Sequence, residues 1–494
     1  MPNDLQSKIN KRVAGFIRVV ESHLMEWLNA KTPEGFRNME LDVASECRKV
    51  ADGITSEILQ EILSDQVFQA ETSIAARQAK DVRHGGCRDI TVTLLGGSKV
   101  HLHDIEYLKP NRRNKPGRPR KKRGKGGAGL YPALTALGIC FGVTPALAGE
   151  VCRQVADSDS VRAGRAALDR RGIDLGHKQT LRLVNAISAR SVKQRTDWLQ
   201  QARDNEPKSG LLKDKRVVVC TDGGRLRQRR YKKGRRKTNG HRKYHAPWRE
   251  PKLLVIYVID DKGNVQDKFR PIYDGTMDDC DGIFNMLTGY LRALGAHEAR
   301  QLIVVGDGAR WIWERTSELI DRIGIDADKV AEVIDWYHAV ETLYAISAIP
   351  SKWPNKEKNR WIRKAKKLLY AGNTCQLVEH IESLAVGRRS KKIRSHKDYF
   401  VRNSARMQYK SFVKNNIPMG SGAVESAVRR VINLRMKSNA KFWNECNAEG
   451  MLLVRSYLKS ERFDDLINWS ISTNASWWLE RNNIHYQHQL SPLL

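Results

Sequence analysis

The chain has 494 residues and a net charge of +32, from 87 lysines and arginines against 55 acidic residues. Hydrophobic residues make up 40% of the chain, which excludes a disordered protein and suffices for about two to four domains with their own cores. The basic excess predicts a polyanionic partner, either nucleic acid or an anionic membrane surface.

No stretch of about 18 apolar residues is present, which excludes a transmembrane helix. Residues 1–8 lack the apolar core of a signal peptide. The eight cysteines contain no C-x-x-C pair, so they favour reduced core residues over a disulfide framework or a zinc site. These features predict a cytoplasmic protein with no membrane partner.

The first 108 residues are predicted to be a helical region followed by a β-hairpin. Apolar residues recur at helical spacing over residues 1–80. Two runs with the apolar character of strands, 89–95 and 100–108, then flank a pair of glycines.

A mobile basic linker is predicted over residues 109–128. From Lys109 to Lys125 there are ten basic residues and no acidic one, and the prolines exclude a regular helix or strand. The stretch 115–121 resembles an AT-hook, in which Arg118 and Arg120 would enter the minor groove of A·T-rich DNA. A generic basic linker is the alternative.

Residues 129–210 are predicted to be helical. Thr144-Pro145 matches an N-cap followed by proline at the first helical position, and another helix is expected to follow a glycine turn at 174–176. Such a pair allows a helix-turn-helix DNA-binding unit, with a plain helical bundle as the open alternative. The second helix would carry three candidate DNA-facing residues, Lys178, Thr180 and Arg182.

From Lys215 the pattern changes to strands and helices. Five strands are predicted, at 216–221, 252–260, 265–272, 301–306 and 330–335. A hairpin turn at 261–264 joins the second strand to the third, and a helix over 277–294 precedes the fourth. This order predicts an α/β domain with a mixed sheet and helices on its faces.

The α/β domain is predicted to be split by helices. Its first part is placed at 211–340, and a helical insertion rich in Trp, Lys and Arg is placed at 341–415. The remainder, 416–494, is predicted to contain one long helix, or two, from Ala423 to about Leu458, followed by further C-terminal helices.

Two of the predicted strands end in an aspartate. Asp222 follows the apolar run 217–220, and Asp307 follows another between Gly306 and Gly308, which would allow close approach of another backbone. A lone strand-end aspartate is more often a turn or helix-capping residue. Two of them on strands that could be neighbours favour a functional site.

A third carboxylate, Glu425, follows a glycine-rich segment at the start of a predicted helix. A capping box needs Ser or Thr three residues earlier, whereas Ser421 precedes Glu425 by four. The segment 419–422 is expected to leave the carboxylate accessible. Capping therefore explains Glu425 poorly.

Carboxylate oxygens are the ligands that Mg²⁺ prefers. Two such ions could activate a water or a 3′-hydroxyl and stabilise the leaving oxygen at phosphorus. No His or Cys cluster has zinc-ligand spacing. Asp222, Asp307 and Glu425 are therefore predicted to be catalytic metal ligands.

Asp335 also follows an apolar strand and is a reserve ligand. Asp335 and His338 face the same side of the first turn of a predicted helix. The favoured interpretation is structural: Trp336 and Tyr337 would pack in the core, and Asp335 and His338 would hydrogen-bond each other. Both are predicted to be supporting residues.

These motifs, in this order, resemble the DDE transposases of prokaryotic insertion sequences, and the similarity covers residues 217–457. Asp335-Trp336-Tyr337-His338 resembles the C/D-x-x-H signature of Mutator-like and related bacterial transposases. The segment 418–426 resembles the surroundings of the catalytic glutamate, and the downstream residues 435–437 and Trp443 fit it. The resemblance implies an RNase H-like domain whose first and fourth strands end in aspartates and whose glutamate follows a helical insertion.

The same resemblance implies cleavage of DNA at transposon ends, followed by strand transfer into target DNA. It implies two Mg²⁺ ions, with Mn²⁺ able to substitute, and assembly as a homo-oligomer, at least a dimer. An RNase H-like nuclease that cuts without joining, and a non-catalytic DNA-binding protein derived from a transposase, are the alternatives. The large insertion argues against the first, and the presence of all three carboxylates argues against the second.

A basic segment separates the first two predicted strands. Eleven lysines and arginines lie between Arg225 and Lys243. The segment is expected to be disordered until nucleic acid neutralises it, and to contact phosphates rather than bases. A solvated loop is the alternative. The predicted DNA-binding residues are Arg229, Arg230, Lys232, Lys233, Arg235 and Arg236.

Overall fold

The computed structural model describes residues 2–111, 129–234, 238, 240, 242–350 and 353–472. These residues form two compact units, one containing residues up to 187 together with 467–472, and the other containing 188–466. The predicted AT-hook segment, with Arg118 and Arg120, lies outside the described residues.

The first unit begins with three helices, in agreement with the sequence. They are α1 (Pro2–Leu28), α2 (Pro33–Ser64) and α3 (Gln66–Ala79). Helix α2 has proline at its first position, and the side chain of Thr32 accepts the N–H of Gly35, which satisfies a backbone donor at the helix start.

The predicted hairpin is present and longer than expected. It consists of the antiparallel strands β1 (Val82–Thr93) and β2 (Lys99–Pro110). Buried Asp52 of α2 accepts the N–H groups of Gly96 (2.9 Å) and Ser98 (2.8 Å) in the turn. These bonds satisfy the buried carboxylate and hold the turn against α2.

Four more helices follow, which are α4 (Pro132–Ala136), α5 (Pro145–Asp157), α6 (Val161–Asp169) and α7 (His177–Asp204). Pro145 is at the first position of α5, as predicted, although the Thr144 side chain makes no capping bond. Thr180 is fully buried, and its hydroxyl donates to the carbonyl of Gly176. Thr180 therefore cannot face DNA, whereas Lys178 and Arg182 are exposed.

The strands of the second unit are β3 (Arg216–Gly223), β4 (Leu226–Gln228), β5 (Arg230–Tyr231), β6 (Tyr244–His245), β7 (Trp248–Arg249), β8 (Lys252–Ile259), β9 (Ile272–Thr276), β10 (Gln301–Gly306), β11 (Val330–Ile334) and β12 (Phe442–Trp443). Five of them form a sheet in the order β11-β10-β3-β8-β9. Strand β10 is parallel to β3 and β11, while β8 is antiparallel to β3 and β9. The unit is α/β with a mixed sheet, as the sequence predicts.

The third predicted strand, 265–272, is wrong in its position. The turn forms as expected, since Asp260 accepts the N–H groups of Lys262 and Asn264, but after a single bridge between Val265 and Ile259 the strand pairing resumes only at Ile272. The intervening residues are mostly polar and end in Pro271, which has no N–H to donate to a neighbouring strand.

The helices flanking the sheet are α8 (Cys280–Ala293) and α9 (Arg310–Ile323). The predicted insertion is helical, and consists of α10 (Trp336–Ser347), α11 (Asn355–Tyr370), α12 (Thr374–Glu382), α13 (Ser390–Arg402) and α14 (Tyr409–Lys414). The predicted C-terminal helical stretch is two helices, α15 (Gly422–Val428), continued by a π-helical turn, and α16 (Glu445–Lys459). Helix α17 (Phe463–Ser472) follows.

A buried ionic cluster in the second unit has no counterpart in the sequence predictions. Arg195 of α7 donates to Asp274 of β9 (2.9 Å) and to Glu449 of α16 (2.6 Å). Tyr290 of α8 donates to the other oxygen of Asp274 at 2.7 Å. The cluster joins four elements, α7, α8, α16 and the edge strand β9. Removing one partner would leave a buried charge uncompensated.

All eight cysteines are free, in agreement with the sequence, but only Cys152 and Cys220 are buried. The prediction that they are core residues is therefore wrong for the others. Within the described part of the chain, no helix combines the length and apolar character needed to cross a membrane.

Candidate functional site

Three aspartates lie where the parallel strands β3, β10 and β11 of the five-stranded sheet end. In the β3–β10 register Cys220 pairs with Val305, so Asp222 and Asp307, each two residues further on, lie side by side at the ends of neighbouring parallel strands. Asp335 follows the next strand, β11, and its N–H donates to the carbonyl of Gly306 at 2.8 Å.

Glu425 reaches these strand ends from helix α15. Its side chain is half exposed, and Oε1 lies 3.5 Å from Nε2 of His338. The hydroxyl oxygen of Ser421, at the N-cap position of α15, lies 3.0 Å from the same oxygen, and its proton is donated to Asp335. The glutamate is therefore held from two sides while remaining accessible to solvent.

The other two predicted ligands influence Asp222 electrostatically. The pKa of Asp222 is raised to about 6, first by burial and then by the charges of Asp307 and Glu425. The N–H of Gly223 and the ring of His338 act in the opposite direction. The Asp222 carboxyl thus lies within electrostatic range of carboxylates from two distant segments of the chain.

A divalent cation fits the chemistry of this donor set, because hard cations prefer carboxylate oxygens and would relieve the repulsion between them. Across the described ranges, however, no three His, Cys, Asp or Glu side chains lie close enough together to form a metal-binding group. The described chain therefore holds no preformed ligand set for the two predicted ions.

The raised pKa of Asp222 predicts a pH-dependent stability without metal. A carboxyl whose pKa rises from 3.8 to about 6 on folding favours the native state below pH 4, and this contribution is lost as pH increases through 6. We expect Asp222→Asn to unfold less readily than the wild type at pH 8 in EDTA, by roughly 1–3 kcal/mol.

Thermal unfolding of both proteins at pH 4.5 and pH 8 checks this expectation. The stability difference should shrink at the lower pH, and Mg²⁺ should stabilise the wild type but not the variant. A variant that is less stable than the wild type at pH 8 in EDTA would contradict it.

The Asp335 carboxylate is occupied by hydrogen bonds within the protein. It is fully buried. One carboxylate oxygen accepts the N–H groups of Tyr337 (2.6 Å) and His338 (3.0 Å), which caps α10. The other oxygen accepts the N–H and the hydroxyl of Ser421, the latter at 2.6 Å. Because both oxygens are fully engaged, Asp335 fastens the segment before Glu425 to α10 and is not available as a metal ligand.

Two details of the predicted structural role are wrong. Tyr337 is 69% exposed and does not pack in the core. The Asp335 carboxylate bonds the backbone of His338, not its ring, which instead lies near Glu425 and, at 3.4 Å, Glu341. The segment 419–422 is also less free than expected, since Ser421 is only 3% exposed.

We expect Asp335→Asn to destabilise the protein by about 2–4 kcal/mol, because an amide donor would then face the two donors of Ser421 in a buried position. Ser421→Ala removes only the hydroxyl bonds and should cost about 1 kcal/mol. Denaturant unfolding of both variants tests this order. If Asp335→Asn unfolds like the wild type, Asp335 does not fasten the segment.

Position 308 requires glycine because a side chain of the insertion lies against it, and not because another backbone approaches it, as predicted. A Cβ at this position would overlap the ring of Tyr399 on α13. Burial, followed by the charges of Asp307 and Asp335, raises the pKa of Tyr399, which agrees with its place beside the carboxylates. The insertion therefore packs directly on the loop that carries Asp307.

Gly308→Ala should destabilise the protein by about 1–3 kcal/mol through overpacking and reduce any activity that needs Asp307. Gly422→Ala is the matched control, because it also lies beside a candidate ligand but in open space. Adding Tyr399→Ala to Gly308→Ala should cost less than the sum of the two single changes. Equal melting temperatures for the two glycine variants would contradict the overlap.

The basic segment after Asp222 is ordered where the structure describes it, which corrects the expectation of disorder. Strand β4 pairs with β7 and with β12, and β5 pairs with β6. Because β12 lies between α15 and α16, the small sheet joins the segment that follows Asp222 to the segment that follows Glu425. Sequence patterns do not predict these strands, because strands of two or three residues have no readable periodicity.

The predicted DNA-binding residues differ in their surroundings. Arg230, Lys232 and Lys233 are exposed. Arg229 is half-buried, with its guanidinium 4.8 Å from the centre of the Tyr244 ring. The backbone N–H of Arg229 donates to the backbone carbonyl of Trp443. Arg235 and Arg236 lie outside the described residues.

Comparisons of this chain with protein-family models, with curated proteins and with solved structures gave no significant match.

Proposed function

We propose that this chain is a DDE transposase with an RNase H-like catalytic domain, which cleaves DNA at transposon ends and joins the freed ends to target DNA. The observation that carries the proposal is the placement of Asp222 and Asp307 at the ends of neighbouring parallel strands, to which the contact of Ser421 with Asp335 brings the helix of Glu425. Asp222, Asp307 and Glu425 come from segments far apart in the chain, and each is at the place that the resemblance assigns to a catalytic carboxylate.

The order of elements supports the same proposal. Within the five-stranded sheet, Asp222 ends the first strand in chain order, and Asp307 ends the fourth. Glu425 lies on the helix that follows the helical insertion. An RNase H-like domain of the proposed family has this arrangement.

In the proposed mechanism Asp222, Asp307 and Glu425 would hold divalent metal, which would supply activation of the attacking oxygen and charge stabilisation at phosphorus. His338 and Ser421 position Glu425 through their contacts with Oε1. Asp335 fixes Ser421 in turn. The exposed cations Arg230, Lys232 and Lys233 would hold DNA phosphates.

The proposal includes the partners that the resemblance implies. They are the two transposon ends, target DNA and at least one further copy of the chain, in the cytoplasm of a prokaryote. Two Mg²⁺ ions, or Mn²⁺ in their place, would serve as cofactors.

The test uses the purified full chain with labelled DNA taken from the flanks of its gene, a plasmid target and Mg²⁺. The proposal expects both cleaved ends and joined products, and neither product in EDTA. Cleavage without joining would favour an RNase H-like nuclease. Binding without any cleavage would favour a DNA-binding protein that has lost catalysis.

A further inference from the structure

The two small sheets that follow Asp222, β12-β4-β7 and β5-β6, expose three aromatic rings among basic side chains. Tyr231 is 52% exposed, Tyr244 is 42% exposed and Trp248 is 46% exposed. We call these three rings, with the exposed cations around them, the aromatic-basic surface. The cations are Arg230, Lys232, Lys233, Arg242 and Lys243.

The rings of this surface are supported from within the protein. The rings of Tyr231 and Tyr244 are edge to face, with centroids 6.4 Å apart. Tyr244 packs on Phe442 of β12 at 5.7 Å, and the guanidinium of Arg227 lies 5.7 Å from the ring centroid of Trp248. The half-exposed rings are therefore held in place before any ligand binds, which lowers the entropic cost of stacking on them.

The charge of the surface selects the kind of partner. Residues 225–249 contain no aspartate or glutamate, so the surface is complementary to a polyanion. A duplex buries the faces of its bases by stacking them on one another, and offers nothing for the exposed rings to stack on. Unpaired nucleotides offer both phosphates and free base faces.

We infer that the aromatic-basic surface binds unpaired nucleotides of a nucleic-acid strand, with bases stacked on Tyr231, Tyr244 and Trp248 and phosphates held by the neighbouring cations. Strand β4 begins four residues after Asp222, so the bound strand would lie next to the candidate site. The placement at a cleavage site rests on the proposed function, whereas the binding of single strands does not.

The test measures binding of the full chain to a labelled oligothymidine of about 16 nucleotides, and to a duplex of the same length, at one fixed salt concentration. Tyr231→Ala and Trp248→Ala should each weaken binding of the single strand by about 5- to 150-fold. Binding of the duplex should change by less than about twofold, because its contacts are to phosphates. Trp248→Phe should retain most of the affinity, since it keeps a ring.

Tyr344→Ala is the matched control. Tyr344 is 48% exposed, and the ammonium of Lys366 lies 5.9 Å from its ring centroid, but it lies in the insertion and should leave both affinities unchanged. Equal losses for single strand and duplex, or none for Tyr231→Ala and Trp248→Ala, would overturn the inference.

The same measurement separates the inference from the proposed function. In an Asp222→Asn background, Tyr231→Ala and Trp248→Ala should still weaken binding of the single strand and leave binding of the duplex nearly unchanged, even if the protein cleaves no DNA. This inference alone would be refuted if the wild type cleaves and joins DNA, while Tyr231→Ala and Trp248→Ala bind the oligothymidine as tightly as the wild type.

Discussion

Asp222→Asn, Asp307→Asn and Glu425→Gln should each lower Mg²⁺-dependent cleavage by about three orders of magnitude or more, with DNA binding close to that of the wild type. Each change keeps the shape of the side chain and removes one charge from the donor set. Metal-assisted stabilisation of the reacting oxygens contributes several kcal/mol, and each 1.4 kcal/mol corresponds to about tenfold in rate.

Single-turnover cleavage of labelled end DNA measures the effect, with melting temperature and DNA affinity recorded for each variant. Asp321→Asn is the control, because Asp321 is an exposed aspartate of α9 in the same unit. Near-normal cleavage by any of the three variants would remove that residue from the catalytic set. The structure leaves Asp335 without a free oxygen to replace it.

DNA binding should depend steeply on salt. If six to ten phosphates are contacted, affinity should fall by about 10³–10⁵ between 50 and 200 mM salt. Changing Arg230, Lys232 and Lys233 together to glutamine should reduce the slope of log affinity against log salt by about 2–3, because each lost phosphate contact releases about one counterion fewer. Arg229 is left unchanged in this variant, since it packs on Tyr244 and its N–H pairs with Trp443.

The charge-matched control replaces Lys356, Arg360 and Lys364, three exposed cations of α11, by glutamine. If the segment after Asp222 contacts phosphates directly, only the variant at Arg230, Lys232 and Lys233 should show the full reduction in slope of about 2–3. The loss should be equal on end DNA and on random DNA, because phosphate contacts carry no sequence information. Equal slopes for the two variants would indicate a general effect of net charge, and a loss confined to end DNA would mean that the segment reads sequence.

Local sequence was sufficient for features that depend on neighbouring residues. The runs 217–220 and 302–305 are continuous and apolar, so they form strands buried on both faces, and these strands end soon after the runs, at Gly223 and Gly306. Helix α5 begins at Pro145 because proline fits the first helical position. Segments of this kind are determined by periodicity and by the properties of single residues.

Tertiary structure decided the features whose partners lie far away in the chain. The Asp335 carboxylate is fully occupied because its second oxygen meets Ser421, and Gly308 is required because Tyr399 of the insertion lies against it. Residues 226–228, shortly after Asp222, lie in a sheet because β12, from the other side of Glu425, pairs with β4. Each depends on a contact between segments that are distant in sequence, and a spacing rule within one segment contains no information about such a contact.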